Sequence, residues 1–469
     1  MKTKNKNFYY YFNINGGTNQ YILDKYIFLN LILILIIILL ISHFNNKRII
    51  NENYIKIQEE NNLTFNKDIN HKINIAIYGY CVINGGRARI TSILTNYFYN
   101  ITLFKTHLFT VEDKEENEYH IPENIKRFVI KNNLKKILKK NRIDILIYQL
   151  DYINEINILN DLKTIKVIVY HHSSNFDWIY ANYTHFKLLY KSFTKSKYFI
   201  SIVPFENDYL FKYWGIKSIL FDNFMTYEYN LVIPSDLSSK TILMIGRGQA
   251  KKKRFKLGIL AMEYIMLDNL NVELLIISDL TRTENIQNLV INLNLDNYIK
   301  FIGYNKNPEF FYKNASLNIF PSISEAFPMV LLETKLFGIP SIIIGLDYLT
   351  ISHGGTTIIY DDTPESLSKE ALKILNNSLF RKSLGYLSKK SMKKYNNEYL
   401  KFKWIELILS VYNGDIYYDS LRDKTKKLSI FEIFKIINKQ IQLFKIRDEM
   451  FSNMTINNYN NFHYMENLK

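Results

Sequence analysis

The sequence has a single cysteine, Cys81. That excludes an intramolecular disulfide and any metal site built on several thiolates. It is short of acids: 44 Asp and Glu stand against 60 Lys and Arg, a formal charge of +16. Such a balance admits nucleic acid or an anionic membrane surface as a partner. Here the lysines, with asparagine, isoleucine and 36 tyrosines, run through the whole chain instead of forming one basic segment. No nucleic-acid-binding motif accompanies them, so no nucleic-acid partner is expected. Charged residues are only 22 % and apolar ones 47 % of 469 residues. This excludes a wholly disordered chain and fits about three domains of ordinary size.

Next to these absences stands one long apolar run. Residues 26–44 read YIFLNLILILIIILLISHF, with no Asp, Glu, Lys or Arg. A stretch of ~20 such residues spans a bilayer as a helix, and a buried soluble helix is rarely Ile and Leu on every face. The 25 residues before it, and Ser42-His43-Phe44 in place of a small-x-small cleavage site, favour a retained signal-anchor over a cleaved leader. The flanks, with Lys2, Lys4, Lys6 and Lys25 against Lys47, Arg48 and Lys56, lean to a cytosolic N-terminus. The expectation is a single-pass membrane protein, of the endomembrane system if the source is eukaryotic, with the catalytic side left open. Sequons from Asn62 to Asn453 do not settle that side in so Asn-rich a chain.

Residues 45–70 are polar and read as a stem. From residue 73 short β-branched runs alternate with amphipathic stretches such as 87–98 and 183–194. Strands are expected at 73–79, 144–149, 166–170, 198–202 and 217–221, and in a second series at 241–246, 272–277, 299–303, 317–320, 341–345 and 357–360. Such alternation gives parallel sheets covered by helices. The expected class is α/β: two doubly wound Rossmann-like domains, at 71–225 and 226–420, behind a 1–25 tail, the 26–44 anchor and the stem. A basic tail, 421–469, carries an amphipathic stretch at 428–446 with apolar residues at Ile430, Phe434, Ile437, Ile441 and Phe444. That stripe fits either a membrane surface or, more commonly, packing on the body of the protein. Ligands of doubly wound sheets bind beyond the carboxyl ends of the strands, and two such domains offer the cleft between them.

The most informative segment is 317–345, LNIFPSISEAFPMVLLETKLFGIPSIIIG. It reads as a buried strand, a loop, a helix opening on Pro328 and stopped by Gly338 and Pro340, then a second strand, one complete βαβ unit. A helix start at the mouth of a cleft presents amides to anions, phosphates above all. Glu325 precedes that start and Glu333 follows it, two carboxylates able to accept sugar or ribose hydroxyls.

S-E-A-F-P-M-V-L-L-E followed by G-I-P-S-I resembles the E-x7-E signature of the group 1 (family 4) retaining glycosyltransferases of the GT-B fold. The resemblance implies that Glu325 faces the donor sugar, that Glu333 binds the ribose, and that the backbone of the segment Phe327, Pro328, Met329 and Val330 approaches sugar and diphosphate. Pro328 itself contributes no amide. Around this core, Arg247 and Lys253, in G-R-G-Q-A-K-K-K-R-F after strand 241–246, match the family's cations for a leaving diphosphate, with Arg254 where glycine is usual. Gly85 and Gly86 match its Gly-Gly pair facing donor and acceptor, His172, narrowly over His171, its His near the sugar, and Asn223 its interdomain Asn. Ser278 and Asp279 depart from it, standing where a glycine-containing loop commonly meets the nucleotide. With no D-x-D triplet, no metal and no cofactor are expected. The expected partners are a nucleotide-diphosphate sugar as donor and a glycan, lipid or protein acceptor. Another GT-B enzyme, such as a nucleotide-sugar epimerase, or an inactive glycan-binding membrane protein, are the alternatives.

Overall fold

A computed structural model describes residues 72–83, 85–131, 134–150, 165–174, 197–246, 251–268, 271–280, 283–415, 417 and 427–454. The 1–25 tail, the 26–44 run, the 45–70 stem, the 183–194 stretch and Arg247 lie outside the described residues. Among the described residues no helix is long and apolar enough to cross a membrane. One compact unit, Lys72–Lys469, holds two sheets.

The first sheet has seven parallel strands: β1 (Ile73–Gly79), β2 (Phe104–Thr110), β3 (Lys126–Val129), β4 (Ile145–Leu150), β5 (Lys166–His171), β6 (Tyr198–Ser201) and β7 (Ile219–Leu220). Their order is β3-β2-β1-β4-β5-β6-β7. The second has six, β8 (Thr241–Ile245), β9 (Glu273–Ile277), β10 (Ile299–Phe301), β11 (Leu317–Phe320), β12 (Ser341–Ile344) and β13 (Thr356–Ile359), in the order β10-β9-β8-β11-β12-β13. Each order reverses beside its first strand, between β1 and β4 and between β8 and β11, which is where doubly wound sheets hold ligands.

Every expected strand is present, with ends shifted by two residues at most. Two strands escape a reading of β-branched runs. The β2 segment FKTHLFT is interrupted by Lys105 and His107, yet His107 is buried beside Phe128. The β3 segment KRFV lies at the sheet edge, where one side needs no apolar cover.

The second core shows why these runs become a sheet. Ile242 and Met244, Leu274 and Ile276, Leu317 and Ile319, and Ile342 and Ile344 share one face at strand period two. Against them lie Leu257, Ala261 and Ile265 of α4 (Phe255–Met266) and Leu367, Ala371 and Ile374 of α8 (Pro364–Asn376). Each fully buried Ile or Leu is worth roughly 1.5–3 kcal/mol. Gly258 lets α4 approach closely, since a Cβ there would fall 2.3 Å from Met244 Sδ.

The remaining helices in chain order are α1 (Gly86–Tyr99), α2 (Leu134–Lys140), α3 (Pro204–Trp214), α5 (Glu284–Asn292), α6 (Glu309–Lys313), α7 (Met329–Leu336), α9 (Ser378–Ser391), α10 (Asn397–Asn413) and α11 (Ile430–Met454). Helix α10 returns from the second sheet to the first. Asn397 exchanges hydrogen bonds with the Met225 backbone, and fully buried Trp404 packs among Phe98, Tyr170 and Phe221. Helix α11 ties both halves from outside. The Leu428 amide ahead of it donates to Asp208 of α3 at 2.7 Å, and Lys439 pairs with Asp347 after β12 at 2.5 Å. Its buried seam runs through Ile433, Gln440 and Leu443. The expected stripe is therefore rotated, leaving Ile430 and Phe434 49 % and 56 % exposed.

Candidate functional site

Two helix starts meet between the sheets. The chain leaves β1, turns through Gly85 at φ 98° and enters α1 at Gly86. A side chain at Gly85 would be strained in that left-handed region. Beyond β11 the chain passes Glu325 and enters α7 at Met329. Pro328 sits one position ahead of the helix with ψ 104°, extended, and is the cap where the sequence suggests a first helical residue. A Cβ on Gly86 would stand 3.0 Å from Met329 Cγ, so the Gly-Gly turn lies directly against the segment Phe327–Val330. Neither helix has a side-chain cap or an acid in its first turn. First-turn amides have no intrahelical acceptor, and both dipoles present their positive ends here.

At one side of this double start, Lys253 Nζ donates to Glu325 Oε1 at 2.5 Å and lies 5.2 Å from the centre of the Phe320 ring. Lys251–Lys253 form a 3-10 turn after β8, and the Ile323 amide donates to Lys252 O at 2.9 Å, fastening that turn to the Glu325 loop. Tyr348 OH donates to Glu325 O at 2.7 Å. Burial alone would raise the Glu325 carboxyl, but Lys253 and Lys252 outweigh it and hold the group below its usual range. Glu325 is thus ionised and partly buried, its side chain 11 % exposed.

On the other side, Glu333 is 1 % exposed and belongs to both halves of the molecule. Its Oε1 accepts from Arg89 of α1 and from Thr226 Oγ1 at 2.6 Å, and its Oε2 from Tyr312 OH at 2.6 Å. Arg89 reaches Tyr119 OH at 3.2 Å and lies over that ring. Burial works against the Arg89 charge, but Glu333 restores it and drives the guanidinium above its ordinary value. Arg89 is absent from the sequence-derived set. Its only local signal is its place three residues after Gly86; 244 residues separate it from its carboxylate. Once Gly86 meets Met329, residues 89 and 333 fall one turn further along each helix and can pair.

His172 follows β5 immediately, its ring 4.0 Å from that of Tyr170 and its Nε2 buried without a hydrogen-bond partner among the described residues. Burial, then the nearby charge of Arg87, push its pKa well below normal, so it is neutral. His171 turns the other way, into the core against Phe199, and burial lowers it to about 4. Asn223 accepts from Tyr170 OH at 2.7 Å. Arg254, at the usual glycine position, does adopt a left-handed backbone, φ 51°, and its guanidinium pairs with buried Asp362. The structure thus brings Gly85, Gly86, Phe327, Met329, Val330, Lys253, Glu325 and Glu333 to the junction of the sheets. Arg247 is outside the described residues.

Residues 231–391 match the family model described as glycosyl transferases group 1. No curated protein matches the sequence. Among solved structures, sucrose-phosphate synthase from Thermosynechococcus elongatus is similar at TM-score 0.61 and 16 % identity, covering 73 % of this chain and 100 % of its own. Anabaena HepE in complex with UDP-glucose is similar at TM-score 0.60 and 12 % identity, covering 72 % and 100 %. A Rickettsia africae glycosyltransferase is similar at 0.57 and 16 %, covering 73 % and 99 %. The arrangement of two sheets is therefore that of GT-B glycosyltransferases. Residues 231–391 carry a group 1 glycosyl transferase domain, and the chain is a glycosyltransferase.

Proposed function

We propose that this glycosyltransferase moves a sugar from a nucleotide-diphosphate donor to an acceptor hydroxyl with retention of configuration, and that residues 26–44 hold it in a membrane. One observation carries the reading of the site: two uncapped helix starts, α1 and α7, lie side by side with Lys253 and Glu325 at their mouth. Charge accumulates on the diphosphate as the glycosidic bond breaks. Two preorganised dipole ends, joined by the Lys253 ammonium once it leaves Glu325, stabilise that charge. Lys253, and Arg247 by resemblance, supply the cations. Lys253 leaves Glu325 for the phosphates, freeing the carboxylate to accept hydroxyls of the donor sugar. Neutral His172 exchanges hydrogen bonds with the sugar without adding charge. Glu333 takes the ribose diol, which requires Arg89 to give way on Oε1. No metal and no cofactor are required in this scheme. The proposed acceptor is a glycan, lipid or protein hydroxyl, and the UDP-glucose bound to HepE makes UDP-glucose the first donor to try.

The test is a transfer assay with labelled nucleotide sugars in the presence of a chelator, with product configuration read by NMR. Glu325→Gln keeps the size of the side chain and removes its charge. Folding should persist and transfer should fall at least 100-fold. Full transfer by this variant, or an inverted product, would refute the assignment.

A further inference from the structure

A second site lies at the other end of α7. Its C-terminal neighbour Gly338, in a left-handed turn at φ 71°, crosses Gly385 of α9 so closely that a Cβ on Gly385 would stand 2.5 Å from Gly338 O. Beside this crossing opens a cavity of about 340 Å³ between α9 and the segment 229–237. That volume is at the small end of ligand sites, roughly 300–1,000 Å³. Helix α9 contributes Lys382, Lys389 and Lys390 to its wall, and the 3-10 turn Met392–Lys394 that follows contributes Lys393. The one acid in its wall, Asp236, is engaged by the Ser238 amide and hydroxyl, both at 2.8 Å. Two of the lysines are held in place. Lys389 donates to Val232 O at 2.6 Å and lies over the Tyr229 ring, and Lys390 lies over the Tyr386 ring. Four lysines against one acid around so small a cavity favour an anion as its occupant.

The rim favours an amphiphile over a free ion. Val232, whose carbonyl anchors Lys389, is buried, but its two neighbours are not: Leu231 is 80 % and Ile233 69 % exposed. Tyr386 in the cavity wall is 65 % exposed. Isolated exposed apolar residues are ordinary. A leucine and an isoleucine in the segment that walls a lysine-lined cavity, with an exposed tyrosine in the wall itself, match instead the chemistry of a bilayer's polar layer, where apolar and aromatic groups enter and lysines meet phosphates.

We propose that this cavity seats the phosphate of an anionic phospholipid headgroup, so that the second half of the molecule rests on an anionic membrane surface through Leu231, Ile233 and Tyr386. The inference is independent of the transfer chemistry, because the cavity and the Glu325 loop lie at opposite ends of α7.

The test follows amide hydrogen exchange of the full-length chain brought onto vesicles by detergent removal, either phosphatidylcholine alone or with phosphatidylglycerol. Segment 229–237 and α9 should exchange about tenfold more slowly on the anionic vesicles, and high salt should erase the difference. Lys390→Glu/Lys393→Glu should lose that protection while keeping its melting temperature and its UDP binding. Equal exchange on both vesicle types, or unchanged protection in the double variant, would overturn the proposal. So would protection by soluble glycerol 3-phosphate with none on anionic vesicles, which would make the site one for free phosphate esters. Loss of UDP binding by the unaltered chain would count against the donor site and leave this comparison intact.

Discussion

Replacing Arg89 with alanine separates two roles that Glu333 plays in the proposed cycle. Without donor, Glu333 is neutralised by Arg89; the carboxylate is buried, 2 % exposed, and the guanidinium largely so, 12 % exposed. Removing one partner of a buried pair costs about 3–5 kcal/mol, because the other charge is stranded. Thr226 and Tyr312 still donate to the carboxylate, so the cost should fall near the lower end, about 3 kcal/mol. The unfolding entropy of a unit of about 400 residues is about 0.8 kcal/mol/K, which converts that loss to a drop of about 4 °C in melting temperature. Donor binding should move the other way. If ribose displaces Arg89 from Oε1, the unaltered enzyme spends part of its binding energy breaking the pair, and the variant does not. Each 1.4 kcal/mol spared tightens UDP tenfold. Calorimetry of UDP with Arg89→Ala should therefore give a lower Kd in a less stable protein, and Glu333→Gln a higher Kd. A parallel fall in stability and UDP affinity in Arg89→Ala would refute the displacement, and would make Arg89 a positioning residue for Glu333.

Two further outcomes test the packing around the site. Arg254→Gly relieves a left-handed backbone, worth about 1–2 kcal/mol, but takes the paired guanidinium away from buried Asp362. It should lower stability by about 2–3 kcal/mol, and Arg254→Gly/Asp362→Asn should recover most of that in denaturant titrations; a more stable single variant would show that the ion pair contributes nothing. His107 is buried near Lys105 and Lys126, and burial, then those charges, lower its pKa to about 4. The unfolded chain binds that proton from about pH 6.5 downward, so the stability contributed by neutral His107 is complete above pH 6.5 and is lost as pH falls toward 4. His107→Leu should flatten that slope by up to about 1.4 kcal/mol per pH unit; an unchanged slope would mean that His107 does not titrate there.

Strand and helix periodicity, the stop at Gly338 and the spacing of Glu325 and Glu333 are local properties, and the sequence carried them without help. A β-branched run excludes water from both faces, and a glycine followed by proline ends a helix, whatever surrounds them. Arg254 shows where that legibility stops. The residue type contradicts the backbone its position adopts, and the explanation, Asp362, lies 108 residues away. The same holds for β2, whose His107 and Lys105 hide a strand until neighbouring strands cover it, and for α11, whose buried seam depends on which side of Gly345 and Asp347 it meets. What only the tertiary structure decided is the pairing of α1 with α7. The pattern marks two helix starts separately, but chain entropy leaves their meeting undetermined until both sheets have folded. That meeting sets Gly86 on Met329 and Arg89 on Glu333, and so turns two ordinary helix ends into one candidate donor site.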